Sequence, residues 1–108
     1  MRHRASICVD GDHPSLPGHF PGRPIVPGVV ILDLVVRAAE RQLGRPLDIV
    51  GLPQVKFAAS LGPGEIADCA FEVDEARLGF RVERDGRAIA IGAFALARSA
   101  GRPSGDGA

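Results

Sequence analysis

The period of the apolar and polar positions changes several times along this chain, and each change marks an element. Ala5–Val9 reads as a short strand with Ile7 and Val9 on one face. From Asp10 to Pro27 the pattern breaks into one long loop, punctuated by Gly11, Pro14, Pro17, Gly18, Pro21, Gly22, Pro24 and Pro27. A loop of that length in a small domain is usually functional, and its prolines restrict its conformations. A helix is expected from Gly28 to Leu43, stopped by Gly44 and Pro46. Val29, Val30, Ile31, Leu32, Leu34, Val35, Val36, Ala38 and Ala39 cover nearly its whole circumference, which predicts a helix buried on all sides. Four strands follow. Ile49–Ala58 places Val55 and Phe57 on one face and Gln54 and Lys56 on the other. After a turn at Leu61–Gly64, Glu65–Asp74 points Ala67, Cys69, Phe71 and Val73 inward and Asp68 and Glu72 outward. Leu78, Phe80 and Val82 alternate against Arg77, Arg81 and Glu83, and Asp85–Gly86 is a strong hairpin signal. Ala88–Ala97 is apolar on both faces, which suggests a subunit contact.

One strand, one apolar helix and four antiparallel strands make an α+β domain, a curved sheet wrapped around a long central helix. One short sheet is too little cover for a helix that is apolar all round, so a second subunit is expected. The domain is expected to occupy residues 1–98, with a Gly/Ser/Pro-rich disordered tail at 99–108.

Composition narrows the function. The 108 residues suit a single domain with a thin core. Net charge is zero, with basic residues spread along the chain, which argues against a nucleic-acid partner. Neither an apolar leader nor a membrane-length apolar run is seen, so a cytoplasmic protein with no membrane partner is expected. Cys8 and Cys69, both in strand-like segments, read as two buried free thiols, and their spacing does not suggest zinc. His3 falls in a loose terminus and His13 on the surface.

The chemistry points to His19 and Asp33. A titratable base stands in the proline-rich loop, and fourteen positions later an acid interrupts the apolar helix. A carboxyl group is costly to bury in such a run unless something pairs with it or uses it.

The stretch Gly18-His19-Phe20-Pro21-Gly22-Arg23-Pro24, continued by Pro27-Gly28-Val29-Val30 and Asp33, resembles the β-hydroxyacyl-acyl-carrier-protein dehydratases of the FabA/FabZ type, which have the hotdog fold. Val55-Lys56-Phe57 with Gly62-Pro63-Gly64-Glu65 resembles a later segment of that family. The resemblance implies dehydration of a 3-hydroxyacyl thioester, on acyl carrier protein or CoA, to the trans-2-enoyl thioester. It implies His19 as base, Asp33 as acid, and a Gly28 amide facing the thioester carbonyl. Phe20, Val29 and Arg37 would line the substrate tunnel, and Arg23 would dock the carrier. The two catalytic side chains would come from different subunits of a homodimer or higher oligomer. No cofactor or metal is implied.

Four positions depart from the family pattern. Asp33 stands where the FabZ branch has Glu. Leu34 and Arg37 stand where Ala and Gln are usual, and Ser60 replaces a proline. Arg37 matters most. It lies four residues after Asp33 in the favourable acid-before-base order, and a close Arg would hold the acid ionised. A dehydratase needs a proton donor, so Arg37 is expected to turn away, toward Glu40 or another subunit. Otherwise Asp33 would orient the hydroxyl or a water. Two alternatives stand beside the enzyme reading: a non-catalytic acyl-binding or heterodimer-partner subunit, and a hotdog thioesterase.

Overall fold

The computed structural model describes residues 2–9 and 25–97. Its elements are β1 (Arg2–Ile7), α1 (Gly28–Leu43), β2 (Ile49–Phe57), β3 (Ala67–Val73), β4 (Arg77–Arg84) and β5 (Arg87–Leu96). The strands form one antiparallel sheet, as expected, and their order is β1-β3-β4-β5-β2.

The register explains the core. Cys69 stands opposite Val82, Phe71 opposite Phe80 and Val73 opposite Leu78, so these three inward residues of β3 each meet an inward residue of β4. Phe80 and Phe94 continue that face, with ring centroids 5.4 Å apart. Ile31, Val35, Ala38 and Ala39 of α1 complete the core. Between β4 and β5, Asp85 (φ 53°) and Gly86 (φ 78°) are both left-handed, the conformation a two-residue hairpin turn requires.

The helix runs from Gly28 to Leu43 as expected. Gly44 ends it at φ 72°, its amide donating to Glu40 O at 2.8 Å. Its burial differs from expectation. Only the stripe Ile31, Val35, Ala38 and Ala39 is buried; Val30, Leu32, Leu34 and Val36 pack partly against the core, and Val29 is 72% exposed. A single sheet covers one side of a cylinder, so the opposite side stays open in one subunit.

Other expectations also change. The first strand starts at Arg2 rather than Ala5, because His3 is paired opposite Phe71 and stacks on its ring at 5.1 Å. His3 therefore belongs to the sheet and not to a loose end. Cys69 is fully buried, and desolvation pushes its thiol up to about 11. Cys8 is exposed, because it falls between buried Ile7 and Val9 and points the other way. The two-sided apolar character of β5 comes from its interior place between β4 and β2. The open apolar edge is β2, where Val50, Leu52, Val55 and Phe57 are exposed. The 99–108 tail lies outside the described residues, and no helix among those described is long and apolar enough to cross a membrane.

Candidate active site

The site gathers around the start of α1. Pro27 precedes the helix with φ −60° and ψ 144° and supplies no side-chain cap. Its carbonyl accepts from the Val30 and Ile31 amides at 3.0 and 3.2 Å. The Gly28 and Val29 N–H groups are left without an acceptor among the described residues, the ordinary condition of a helix start that can receive a negative oxygen.

Glycine at 28 leaves room for a neighbouring ring. A Cβ there would lie 2.6 Å from Cζ of Phe57 and within 3.0 Å of both its ε carbons. The Phe57 ring, half-exposed at the end of β2, therefore lies directly against the helix start. Sequence reading placed Phe57 in a strand and in the resemblance but assigned it no role in the site. The alternation of Val55 and Phe57 gives no sign of the contact, because Gly28 is remote in sequence.

Val29, Asp33 and Arg37 form one stripe at spacings of four along the open side of α1. Asp33 lies two residues from Val35 and so about 200° around the helix from the buried stripe. Its side chain is 57% exposed. The expectation of an acid enclosed by apolar neighbours fails within one subunit for that geometric reason. Arg37 does not turn away: its Nε donates to Asp33 Oδ2 at 2.8 Å. Glu40, the expected alternative partner, is already used, since its Oε2 accepts from the Leu47 amide at 2.9 Å. Nothing described competes with Asp33 for the guanidinium.

His19, Phe20 and Arg23 lie outside the described residues, as does His13. The residues flanking that segment are held by hydrogen bonds. Val9 O accepts from the Gly64 amide at 2.7 Å, and the Val26 amide donates to Leu61 O at 2.8 Å. Glu65 Oε1 braces the same turn by accepting from the Gly62 amide at 2.7 Å. Both flanks are thus anchored on the Leu61–Gly64 turn, the second of them at Val26, two residues before the helix begins.

The structure sets Phe57 against Gly28 and places Val29, Asp33 and Arg37 along the open side of the same helix. A cavity of about 500 Å³ lies elsewhere, over β1, β3 and β4, and none of these five residues lines it. Among the described residues no three His, Cys, Asp or Glu side chains gather as a metal site would need.

The family model of the ApeI-like group, described as ApeI dehydratase, matches residues 1–93. A 3-hydroxyacyl-[acyl-carrier-protein] dehydratase FabZ from Jannaschia sp. (strain CCS1) is 31% identical over 97 residues, covering 81% of this chain and 60% of that protein. The FabZ of Sodalis glossinidius is 39% identical over 74 residues, covering 68% and 41%. The chain spans about three fifths of the length of the first of these curated relatives. Among solved structures, the dehydratase heterocomplex ApeI:P from Xenorhabdus doucetiae is similar with a TM-score of 0.78 and 28% identity, over 90% of this chain and 88% of that one. An (R)-hydratase from A. caviae shares the fold at a TM-score of 0.67 and 17% identity, covering 89% and 92%. The helix on a five-stranded antiparallel sheet is the hotdog fold.

Proposed function

Because the chain belongs to the ApeI-like dehydratase family, we propose that it removes water from a 3-hydroxyacyl thioester, carried on acyl carrier protein, to give the trans-2-enoyl thioester. One observation supports this reading: the Gly28 and Val29 amides, without an acceptor among the described residues, stand at the start of the helix whose open side carries Asp33.

The roles follow from that geometry and the sequence. The Gly28 amide donates to the thioester oxygen and stabilises the negative charge that develops there. One such donor is typically worth about 10²–10³-fold in rate. His19, whose unperturbed imidazole is mostly neutral at pH 7, removes the proton from C2. The C2–H electron pair forms the C2=C3 bond, Asp33 as the acid gives its proton to the C3 oxygen as the C3–O bond breaks, water leaves, and exchange with solvent restores both side chains. Phe20, Val29 and Phe57 supply apolar walls for the acyl chain, and Arg23 meets the acidic carrier.

A second subunit completes the site in this reading. The exposed apolar residues Val50, Leu52, Val55 and Phe57 of β2, with Ile25 and Val29, form the surface where it would pack. An open sheet edge of this kind favours pairing with another chain. The partner's copy of the His19 loop would then face Asp33 across the interface.

The test is turnover of the purified protein with a 3-hydroxyacyl thioester on carrier protein or CoA. Enoyl absorbance should appear and should vanish in His19→Ala. Release of free thiol without enoyl product would instead make the chain a thioesterase. Arg37 held on Asp33 gives the partner-subunit reading its one specific support. For that reading the chain alone would be inactive and would gain activity only when mixed with a different hotdog subunit.

A further inference from the structure

The face of the sheet turned away from α1 carries a set of charges that the proposed chemistry does not use. We infer that this outer face is a self-complementary docking surface, on which a second copy of the chain packs sheet to sheet through β3 and β4. It is separate from the β2 edge and does not depend on the dehydratase reading.

The register sets the pattern. Arg2, Glu72 and Gly79 stand side by side across β1, β3 and β4, and Arg4, Ala70 and Arg81 form the next row on the same face. Large and small side chains therefore alternate in opposite phase: β3 has Ala70 where β4 has Arg81, and Glu72 where β4 has Gly79. The cavity of about 500 Å³ lies over these rows, where Ala70 and Gly79 leave the surface low. Arg77 and Glu83 end the same stripe of β4. Arg4 and Arg81 lie two strands apart, roughly 10 Å between Cα atoms, with only Ala70 between them. That slot suits a carboxylate.

Turned over about a two-fold axis running across the strands between the two rows, the face meets its own complement. Glu72 of one copy stands over Ala70 of the other, between that copy's Arg4 and Arg81. Arg81 stands over Gly79 of the other copy, beside its Glu72, and Arg77 stands over Glu83. Each long side chain enters a space left by a small residue, and each of these charges meets the opposite sign. Facing sheets pack about 10 Å apart, a gap that side chains of this length fill. An isologous pairing makes every such contact twice.

The charges are available for it. Arg4 and Arg77 have no side-chain partner among the described residues, and the Arg77 guanidinium lies over Gly79, with Nη1 3.0 Å from where a Cβ would stand. The Arg2–Glu72 pair is loose, at 3.5 Å between side chains 88% and 62% exposed, so Glu72 is readily re-paired. Arg81 is held to Glu83 through Nε at 2.6 Å, which leaves its two terminal nitrogens for Glu72 of the second copy. A second copy is the occupant because it brings Glu72 to the Arg4–Arg81 slot in register with Arg81 at Gly79.

Charge exchange tests the pairing, with mass in solution read by sedimentation equilibrium over a concentration series. Glu72→Arg and Arg81→Glu each bring like charges together and should halve the wild-type mass, whether or not chains also join at β2. Circular dichroism should stay unchanged, because both side chains are on the surface. An equimolar mixture of the two single variants should regain the wild-type mass, since each then meets opposite charge on the other. A wild type that stays monomeric throughout the series would overturn the pairing. So would single variants that lower the mass without recovery on mixing. A mass that neither variant lowers would also overturn it and leave these arginines to an acidic partner of another sequence.

Discussion

Gly92→Ala tests how the sheet holds the site together. Gly92 lies in β5 between Phe80 of β4 and Val55 of β2. A Cβ at that position would stand 2.5 Å from Gln54 O, 2.9 Å from Val55 Cα and 3.0 Å from Phe80 Cζ. Two of those neighbours are backbone atoms and cannot rotate away. Strand β2 must retreat by roughly 1 Å before its carbonyl reaches ordinary contact. Overpacking of that kind costs about 1–3 kcal/mol. The lower entropy of the unfolded alanine chain returns about 0.4–1 kcal/mol. The net loss is about 1–2 kcal/mol, which for a domain of this size lowers Tm by roughly 5–15 °C. Strand β2 also ends in Phe57 against Gly28, so kcat/KM should fall as well. Gly51→Ala is the control on the same strand pair: its Cβ would meet only the Ala95 Cβ, at 3.9 Å. It should change stability by less than about 0.5 kcal/mol. Thermal unfolding of the three proteins decides the matter. An unchanged Tm in Gly92→Ala, or equal losses at both glycines, would refute the packing argument.

Three further outcomes are expected. Cys69 binds its proton more tightly folded, at about 11, than at the ordinary 9.0. Its contribution to stability is therefore present below pH 9 and lost as pH rises toward 11. Denaturant titrations should lose on the order of 2–3 kcal/mol across that window, and Cys69→Ala should flatten the loss. A thiol reagent should modify exposed Cys8 at once and Cys69 only on unfolding, which peptide mapping reads directly. Gly28→Ala should displace the movable Phe57 ring at little cost in Tm yet lower kcat/KM by about tenfold or more, because the ring moves where the thioester approaches.

The sequence carried the elements because each had a local cause. Gly28 and Gly44 bound the helix, Asp85–Gly86 forms the hairpin, and alternation places Cys69, Phe71, Phe80 and Val82 inward. What it hid depended on neighbours distant in sequence. A helix apolar on all sides does not say which side the sheet covers, so the exposure of Asp33 was not legible. Arg37 had two acids in reach, and only the folded chain shows Glu40 taken by Leu47. Charged Arg2 and Arg4 masked a strand whose start is fixed by His3 on Phe71. The role of Phe57 needed the contact with Gly28, which is remote in sequence.

The central claim is a dehydratase site shared between subunits, with His19 from one and Asp33 from the other. Co-expression of His19→Ala with Asp33→Ala tests it most directly. Each variant alone should be inactive. Random mixing should give half mixed dimers, each with one intact site, and so restore about a quarter of wild-type dehydration. Activity no greater than that of the separate variants, in a preparation shown to contain mixed dimers, would contradict the shared site.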